Sequence, residues 1–242
     1  MAQAYARGEG TIRFELVTRA LLAAIPDTPQ RIVDVGGGYG RQAILLARAG
    51  HVVTIIDFDS NMLAMAEQMI SKEDEGVRAR IDLVLGCGED APGILREEFD
   101  AVCCHSVLMY VCDPKPILSS LSRLTRSGGV LSILSINAQA TAMRSGLQGR
   151  WLEAIASLQA GESRDGQYFP NSPHLLESIC AILEQFGVKT IGWHGVGIFT
   201  DHLVETLTVA DPAQVIMAEW LAGNMDPYRG VARCFHLLAR RN

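Results

Sequence analysis

No run of 18 apolar residues occurs in this sequence, so no membrane-crossing helix is expected. The N-terminal stretch MAQAYARGEG lacks the apolar core that a signal peptide needs. No CxxC pair occurs among the cysteines at 87, 103, 104, 112, 180 and 234. Reduced thiols in a cytoplasmic protein are the expectation, with Cys103 and Cys104 in a buried strand. The six histidines are dispersed with no ligand spacing, so no metal site is expected. Internal repeats and low-complexity tails are missing too. Positive charge is in the minority: the formal net charge is −6. That argues against non-specific affinity for nucleic acid and leaves room only for a local basic surface. The 48% of apolar residues is enough for a large core, and 242 residues suit one α/β domain with a modest extra segment.

Glycine, by contrast, is concentrated. Arg31 to Arg41 reads RIVDVGGGYGR, with glycine at 36, 37, 38 and 40. Arg31 to Val35 reads as a short apolar strand with Asp34 near its end. Gly36, Gly37, Gly38 and Gly40 make a tight turn, because positive φ and close approach of a ligand both favour a residue without Cβ. A helix then opens at about Tyr39 and continues through QAILLARA. Its free N–H groups and positive dipole end face whatever sits above the turn. Such a unit suits a dinucleotide or S-adenosylmethionine (SAM). The dinucleotide fingerprint GxGxxG needs a glycine three residues after its second. Counted from Gly36 and Gly38 that place is Arg41, so the fingerprint fails. Counted from Asp34, D-x-G-G-G-x-G resembles motif I of the class I SAM-dependent methyltransferases.

The rest of the chain alternates. Residues 11–25 place Ile12, Leu16, Leu21, Leu22 and Ile25 at helical spacing, with Thr11 as N-cap and Pro26 as stop. Tyr5 to Gly10 reads as a loop. Arg13, just inside the helix, can fold over the glycine turn. His51 to Asp57 is a β-branched strand ending in an acid. A carboxylate there accepts two hydrogen bonds from vicinal ribose hydroxyls, which makes Asp57 and its neighbour Phe58 cofactor-site candidates. Asp59 is expected to cap the next helix, whose Met62, Met65 and Met69 read as core. RIDLVLG is the third strand, followed by Gly88, Glu89 and Asp90. Phe99 to His105 is the fourth strand, buried on both faces, with His105 at the ligand-binding edge. Pro114 opens a helix that Ser127-Gly128-Gly129 breaks, and Val130 to Ile136 is the fifth strand. Strand–helix alternation over residues 31–136 implies a doubly wound, mostly parallel sheet, seven-stranded with the last two strands as an antiparallel edge. Residues 137–172 interrupt that sheet and read as a helical cap, before a helix and edge strands in 173–242.

More specific stretches resemble one family, the bacterial tRNA 5-carboxymethoxyuridine methyltransferases. They are GTIR with Arg13, VDVGGGYG, Asp57, HSVLMYVCDP, GGVLSI, SINA with Asn137, GVGIFTDHL at 195–203 and DPYRGVARCFHLLARR at 226–241. The resemblance implies a Rossmann-like class I fold with SAM as cofactor. It implies that Arg13 meets the methionine carboxylate, and that Gly36 and Gly37, Asp57, Gly88 with Glu89, and His105 line the cofactor. In this plan an acid after the third strand takes the adenine amine; Glu89 and Asp90 both qualify. The sequence departs from the family at GESRDGQYFPNSP, where a lysine-rich run is usual, and at Gln139, where histidine is usual.

A carboxylate acceptor is already nucleophilic at neutral pH and needs no general base. The work is then to hold its oxygen in line with the methyl group, roughly 3–3.5 Å away. Asn137, Tyr228 and Arg233 are the candidates to bind that carboxylate. Cationic candidates for tRNA contact are Arg144, Arg150, Arg164, Arg229, Arg233, Arg240 and Arg241. Two acceptor classes stay open, a modified tRNA and a small metabolite. A SAM-binding module without turnover is the further alternative.

Overall fold

A computed structural model describes residues 9–160, 174–203 and 211–242. Residues 5–8 of the expected N-terminal loop, the later part of the 137–172 insertion and Arg164 lie outside the described residues.

Helix α1 (Glu9–Ala24) begins two residues before the expected cap at Thr11, and Pro26 follows its end. It buries Ile12, Leu16, Val17 and Leu21 along one stripe. Then come β1 (Arg31–Val35), α2 (Arg41–Arg48), β2 (Val52–Asp57), α3 (Ser60–Ile70), α4 (Glu75–Arg78), β3 (Ile81–Leu85), α5 (Ala91–Leu95) and β4 (Phe99–His105). Helix α6 (Lys115–Leu124) leads into β5 (Thr125–Ile136), then α7 (Thr141–Leu147) and α8 (Trp151–Ala160). After the gap come α9 (Leu176–Gln185), β6 (Val188–Val196), α10 (Pro212–Gly223) and β7 (Cys234–Arg241).

The seven strands run in the order β3-β2-β1-β4-β5-β7-β6. Pairs among β1 to β5 are parallel, and β7 is antiparallel to both its neighbours, β5 and β6. The antiparallel element is thus one strand inserted between two others, with β6 at the edge. Apolar clusters fill both faces: α6 and α9 cover one, α1, α2 and α3 the other. The order reverses between β1 and β4, the switch point where a crevice opens at the carboxyl ends of the strands.

Several boundaries differ from those expected. The helix after the glycines starts at Arg41, not Tyr39, because Gly40 sits in the left-handed region (φ 79°) as its N-cap. β2 begins at Val52; His51 precedes it, and its Nδ1 accepts from the backbone of Gln30. β5 starts at Thr125 and runs through Gly128-Gly129, with the register against β4 shifting there. A Cβ at Gly129 would meet the Asp100 carbonyl at 3.0 Å, so glycine is what lets the two strands pass. Asp59 caps α3 as expected, accepting from Asn61 N at 2.8 Å. The methionines of α3 are not core: Met65 and Met69 are exposed, and Met62 borders a cavity.

Candidate active site

A cavity of about 560 Å³ opens at the carboxyl edge of β1, β2 and β4 and extends to α1. That volume is within the range of small-molecule sites. Arg13, Asp34, Gly36, Gly37, Gly38, Asp57, Phe58, Gly88, Glu89 and His105 all line it. Gly40, Asp90, Asn137, Tyr228 and Arg233 are not among its lining residues. Nor does any described residue of 137–160 line it. Among the further lining residues, the sequence reading missed Phe14, Ser106, Val107 and Tyr110 and read Met62 as core. Only their place after a strand end or on the α1 stripe hinted at it.

The turn that floors the cavity uses its glycines unequally. Gly36 (φ 69°), Gly38 (φ 55°) and Gly40 (φ 79°) need the left-handed region. A Cβ at Gly36 would run into Val107 Cγ2, and one at Gly37 would meet Asp34 Oδ2 and Ile55 Cγ2 at 2.9 Å. At Gly40 it would crowd Ile55 and Ala66, so this glycine lets α3 approach and leaves the cavity floor to the others. Gly38 alone of the four faces open space. It is the point where the backbone is bare toward a ligand.

Asp57 closes the turn from β2. Its Oδ2 accepts from Gly38 N at 2.8 Å and its Oδ1 from Asp59 N at 2.9 Å. Each oxygen keeps a lone pair for a further donor. Asp34 lies behind the turn, buried, and burial with Asp57 nearby raises its pKa to about 7. Glu89 faces the cavity and accepts from Cys87 Sγ at 2.7 Å. Asp90 instead occupies the N-cap position of α5, which separates the two acids that the sequence left tied. Phe58 is 77% exposed at the rim, a bare aromatic face.

Arg13 reaches the cavity from α1, with Nη1 3.5 Å from Ser106 Oγ. Ser106 itself holds a positive φ of 61°, at the bend that ends β4. His105 Nε2 lies 2.8 Å from Ser132 Oγ. Burial, with the Arg13 cation adding to it, lowers the His105 pKa to about 3. Asp34, Cys103 and His105 offer ligand atoms within 4.8 Å of one another. Burial drives the Cys103 thiol far up, and the His105 Nε2 is engaged by Ser132, so this set is poorly prepared for a cation.

The expected acceptor-binding trio lies together, beside the cavity and not in its wall. Asn137 corrects the expectation: its Nδ2 donates to Gly230 O at 3.0 Å and Ala232 O at 3.2 Å, so both amide protons are spent. Its Oδ1 accepts from Gln139 N, leaving the side chain as a clasp between β5 and the chain before β7. Tyr228 is half exposed and near Phe199, with ring centroids 6.4 Å apart. Arg233 Nε lies 3.9 Å from Asp201 Oδ2, and Arg144 Nη1 lies 3.5 Å from Asp201 Oδ1. Burial raises the pKa of Asp201 against the pull of these two cations. Burial also pushes the Cys234 thiol up to about 11, while Arg13 and Arg233 both pull it down. Both guanidiniums therefore lie near Cys234, and of the two only Arg13 lines the cavity. The loop carrying Asp201 is held by Glu219, a residue the sequence reading did not single out. Its carboxylate is fully buried and accepts from Ile198 N, Phe199 N and Thr200 N at 2.9 Å and from Thr200 Oγ1 at 2.8 Å.

Comparison with known proteins agrees with this geometry. Residues 33–133 match the family model described as a methyltransferase domain. The chain is 28% identical to the tRNA 5-carboxymethoxyuridine methyltransferase of Escherichia coli K12, over 98% of this chain and 91% of that one. A ubiquinone biosynthesis O-methyltransferase of Xanthomonas campestris is 32% identical, over 44% of this chain and 43% of the relative. The fold is similar to that of magnesium protoporphyrin IX methyltransferase from Synechocystis, solved with bound SAH, with a TM-score of 0.63. That match is 18% identical and covers 95% of this chain and 82% of the other. No helix among the described residues is long and apolar enough to cross a membrane. The domain match, the sheet and the near full-length likeness agree, and this chain is a class I SAM-dependent methyltransferase.

Proposed function

We propose that the enzyme moves the methyl group of SAM to a carboxylate oxygen, with the carboxymethoxy group of a modified tRNA uridine as acceptor. The observation that carries this reading is the extent of the likeness to the E. coli tRNA enzyme. It spans 98% of this chain, whereas the likeness to the ubiquinone-pathway relative spans 44% of it.

The cavity suits SAM chemically. Bare backbone at Gly38 admits the ligand, Asp57 has lone pairs left for the ribose hydroxyls, and Glu89 is the acid for the adenine amine. Phe58 offers an apolar face at the rim, and Arg13 a cation for the methionine carboxylate. Bound there, SAM would supply an electrophilic methyl group, leaving as S-adenosylhomocysteine when its S–CH3 bond breaks, and a carboxylate acceptor would have no proton to lose. The protein's part is orientation and charge. Arg233, which with Arg13 lies near Cys234, is the acceptor's guanidinium partner, with Tyr228 as a further donor; Asn137 shapes the loop and donates nothing to the acceptor. Asp201 already shares Arg233 and Arg144, so an acceptor carboxylate competes with it for them. In this reading residues 137–172 form a cap attached to one methyltransferase domain, tied to the site through Arg144. The six free thiols suit a cytoplasmic setting.

A second reading, a small-metabolite acceptor, is favoured by the arginines. Arg229 pairs with Asp226 and Arg150 with Glu153. Arg240 and Arg241 lie at the opposite edge of the sheet, bonded to Gly128 O and Glu98. Methyl transfer into tRNA bearing 5-carboxymethoxyuridine, measured at several salt concentrations, separates the two. Incorporation that falls steeply with salt is expected for tRNA. Absence of incorporation at low salt, with SAM binding intact, removes tRNA as the acceptor. Arg233→Ala should then lower turnover at least tenfold with SAM affinity unchanged; equal turnover would exclude Arg233.

A further inference from the structure

Arg41, the residue that breaks the dinucleotide fingerprint, lines the cavity, and the methyl-transfer reading gives it no role. It is the first residue of α2, directly after the left-handed Gly40. Its guanidinium carbon lies 5.3 Å from the centroid of the Phe14 ring, and that of Arg13 lies 5.0 Å from the same centroid. Both separations are within cation–π range. Phe14 is itself on the cavity wall, so one ring there carries two cations from two different helices. The helices are pinned to each other close by. Gln42 Nε2 donates to Thr18 Oγ1 at 2.9 Å, and the Thr18 hydroxyl donates to Phe14 O at 2.7 Å. Gln42 and Thr18 are both buried. That chain of bonds fixes α1 against α2 at the point where the two arginines meet the ring.

Charge is unevenly spread around the cavity. Arg13 lies near Ser106, just past β4, and its charge is felt at His105 of β4 and Cys234 of β7. Asp57 and Asp59 stand at the end of β2, and Glu89 lies beyond β3. Along the strand order β3-β2-β1-β4, these acids hold one end of the cavity and the cations the other. Two guanidiniums against one ring repel each other, and an anion placed between them turns the repulsion into attraction. SAM has one anionic group, its methionyl carboxylate. Its adenosyl part offers hydroxyl and amine donors, which suit the acids. Packing on Phe14 also holds two long side chains in place before a ligand arrives, which reduces the entropy lost on binding.

We propose that Arg41 is a further cofactor-binding residue: with Arg13 it forms a two-guanidinium clamp on the methionyl carboxylate of SAM, and Phe14 is the positioning residue that holds both. The clamp makes the site selective for nucleosides that carry an amino-acid carboxylate over those that end near the sulfur. This deepens the SAM reading and rests on it. Calorimetry with two probes tests it: S-adenosylhomocysteine, and 5′-methylthioadenosine, which has the same adenosyl thioether without the amino-acid group. The unmodified protein is expected to bind the first more tightly. Arg41→Ala should weaken S-adenosylhomocysteine binding about tenfold and change that of 5′-methylthioadenosine by less than about twofold. Arg41→Gln, which keeps a good helix former and removes the charge, should give the same split. Phe14→Leu, which keeps an apolar side chain and removes the ring face, should weaken only S-adenosylhomocysteine, by about threefold. Retained binding of 5′-methylthioadenosine shows in the same titration that each variant is folded. A loss below about twofold for S-adenosylhomocysteine in both Arg41 variants, at about 0.15 M salt where a distant charge is screened, overturns the clamp. So does an equal loss of both probes at an unchanged Tm, or equal affinity of the unmodified protein for the two. If the unmodified protein binds neither probe, the cofactor reading itself fails and the clamp falls with it.

Discussion

At the scale of single residues, the glycine turn divides stability from binding. Gly36 and Gly38 share a positive φ but face different surroundings. Gly36→Ala drives a methyl into Val107 and should cost about 1–3 kcal/mol of stability, seen as a lower Tm. Gly38→Ala meets open space in the free protein, so its stability should fall by only about 1 kcal/mol. Its methyl projects where SAM is expected, so calorimetric affinity should drop more than tenfold. Equal SAM affinity in Gly38→Ala and the unmodified protein would contradict the proposed seat.

Asp34 makes a pH prediction. Its pKa is raised from 3.8 to about 7 by burial and by Asp57. Below about pH 4 the carboxyl holds its proton in both the folded and the unfolded chain. Between 4 and 7 the unfolded chain releases it first, so the advantage of burying a neutral acid drains away as pH rises. Asp34→Asn does not titrate. Relative to the unmodified protein it should gain a few kcal/mol, at most about 4, between pH 4 and pH 8. Denaturant midpoints at the two pH values test this, and parallel pH profiles would refute it. The lowered histidines push stability the other way below pH 6.5, equally in both proteins, and cancel in the difference.

Among elements, the most consequential unforeseen device is the grip of α10 on the loop after β6. Glu219 accepts three backbone N–H groups and a hydroxyl of residues 198–200. Glu219→Ala leaves those donors unpaired and should cost about 2–4 kcal/mol. Amide exchange at 198–200 should quicken while SAM affinity stays within about twofold, because this loop is outside the cavity wall. Exchange confined to its original rate would mean that other contacts hold the loop. Legibility also sorts by element. β1 and β4 were found with correct ends because an apolar run bounded by charge or glycine has few alternatives. The start of α2 was missed by two residues because Gly40 looked like part of the turn alone, and the start of β5 because a glycine pair can ride inside a bulged strand. Of the cavity residues, Asp57 and His105 followed from strand ends, and Gly88 and Glu89 from the family resemblance. The parts played by Asn137 and Ser132 did not, because pattern shows where a polar residue stands and leaves open where its protons go.

For the molecule as a whole, the direction of the strands sorts the arginines. β7 runs against β5, so Arg233 lies at the carboxyl edge with the cavity while Arg240 and Arg241 reach the opposite edge. If tRNA is the acceptor, Arg229→Ala should reduce the salt dependence of binding by about one ion and Arg240→Ala should leave it alone. Equal effects on the log–log slope would place the RNA across the wrong edge of the sheet. The same insertion of β7 bears on how the chain is made. β6 leaves the ribosome with no hydrogen-bonding neighbour, since its partner is encoded dozens of residues later, and β5 meanwhile presents an open flank. Until residue 241 has emerged, two unsatisfied strand borders face solvent or a holding chaperone, and a nascent chain stalled before that point is the species most prone to clump with its own kind.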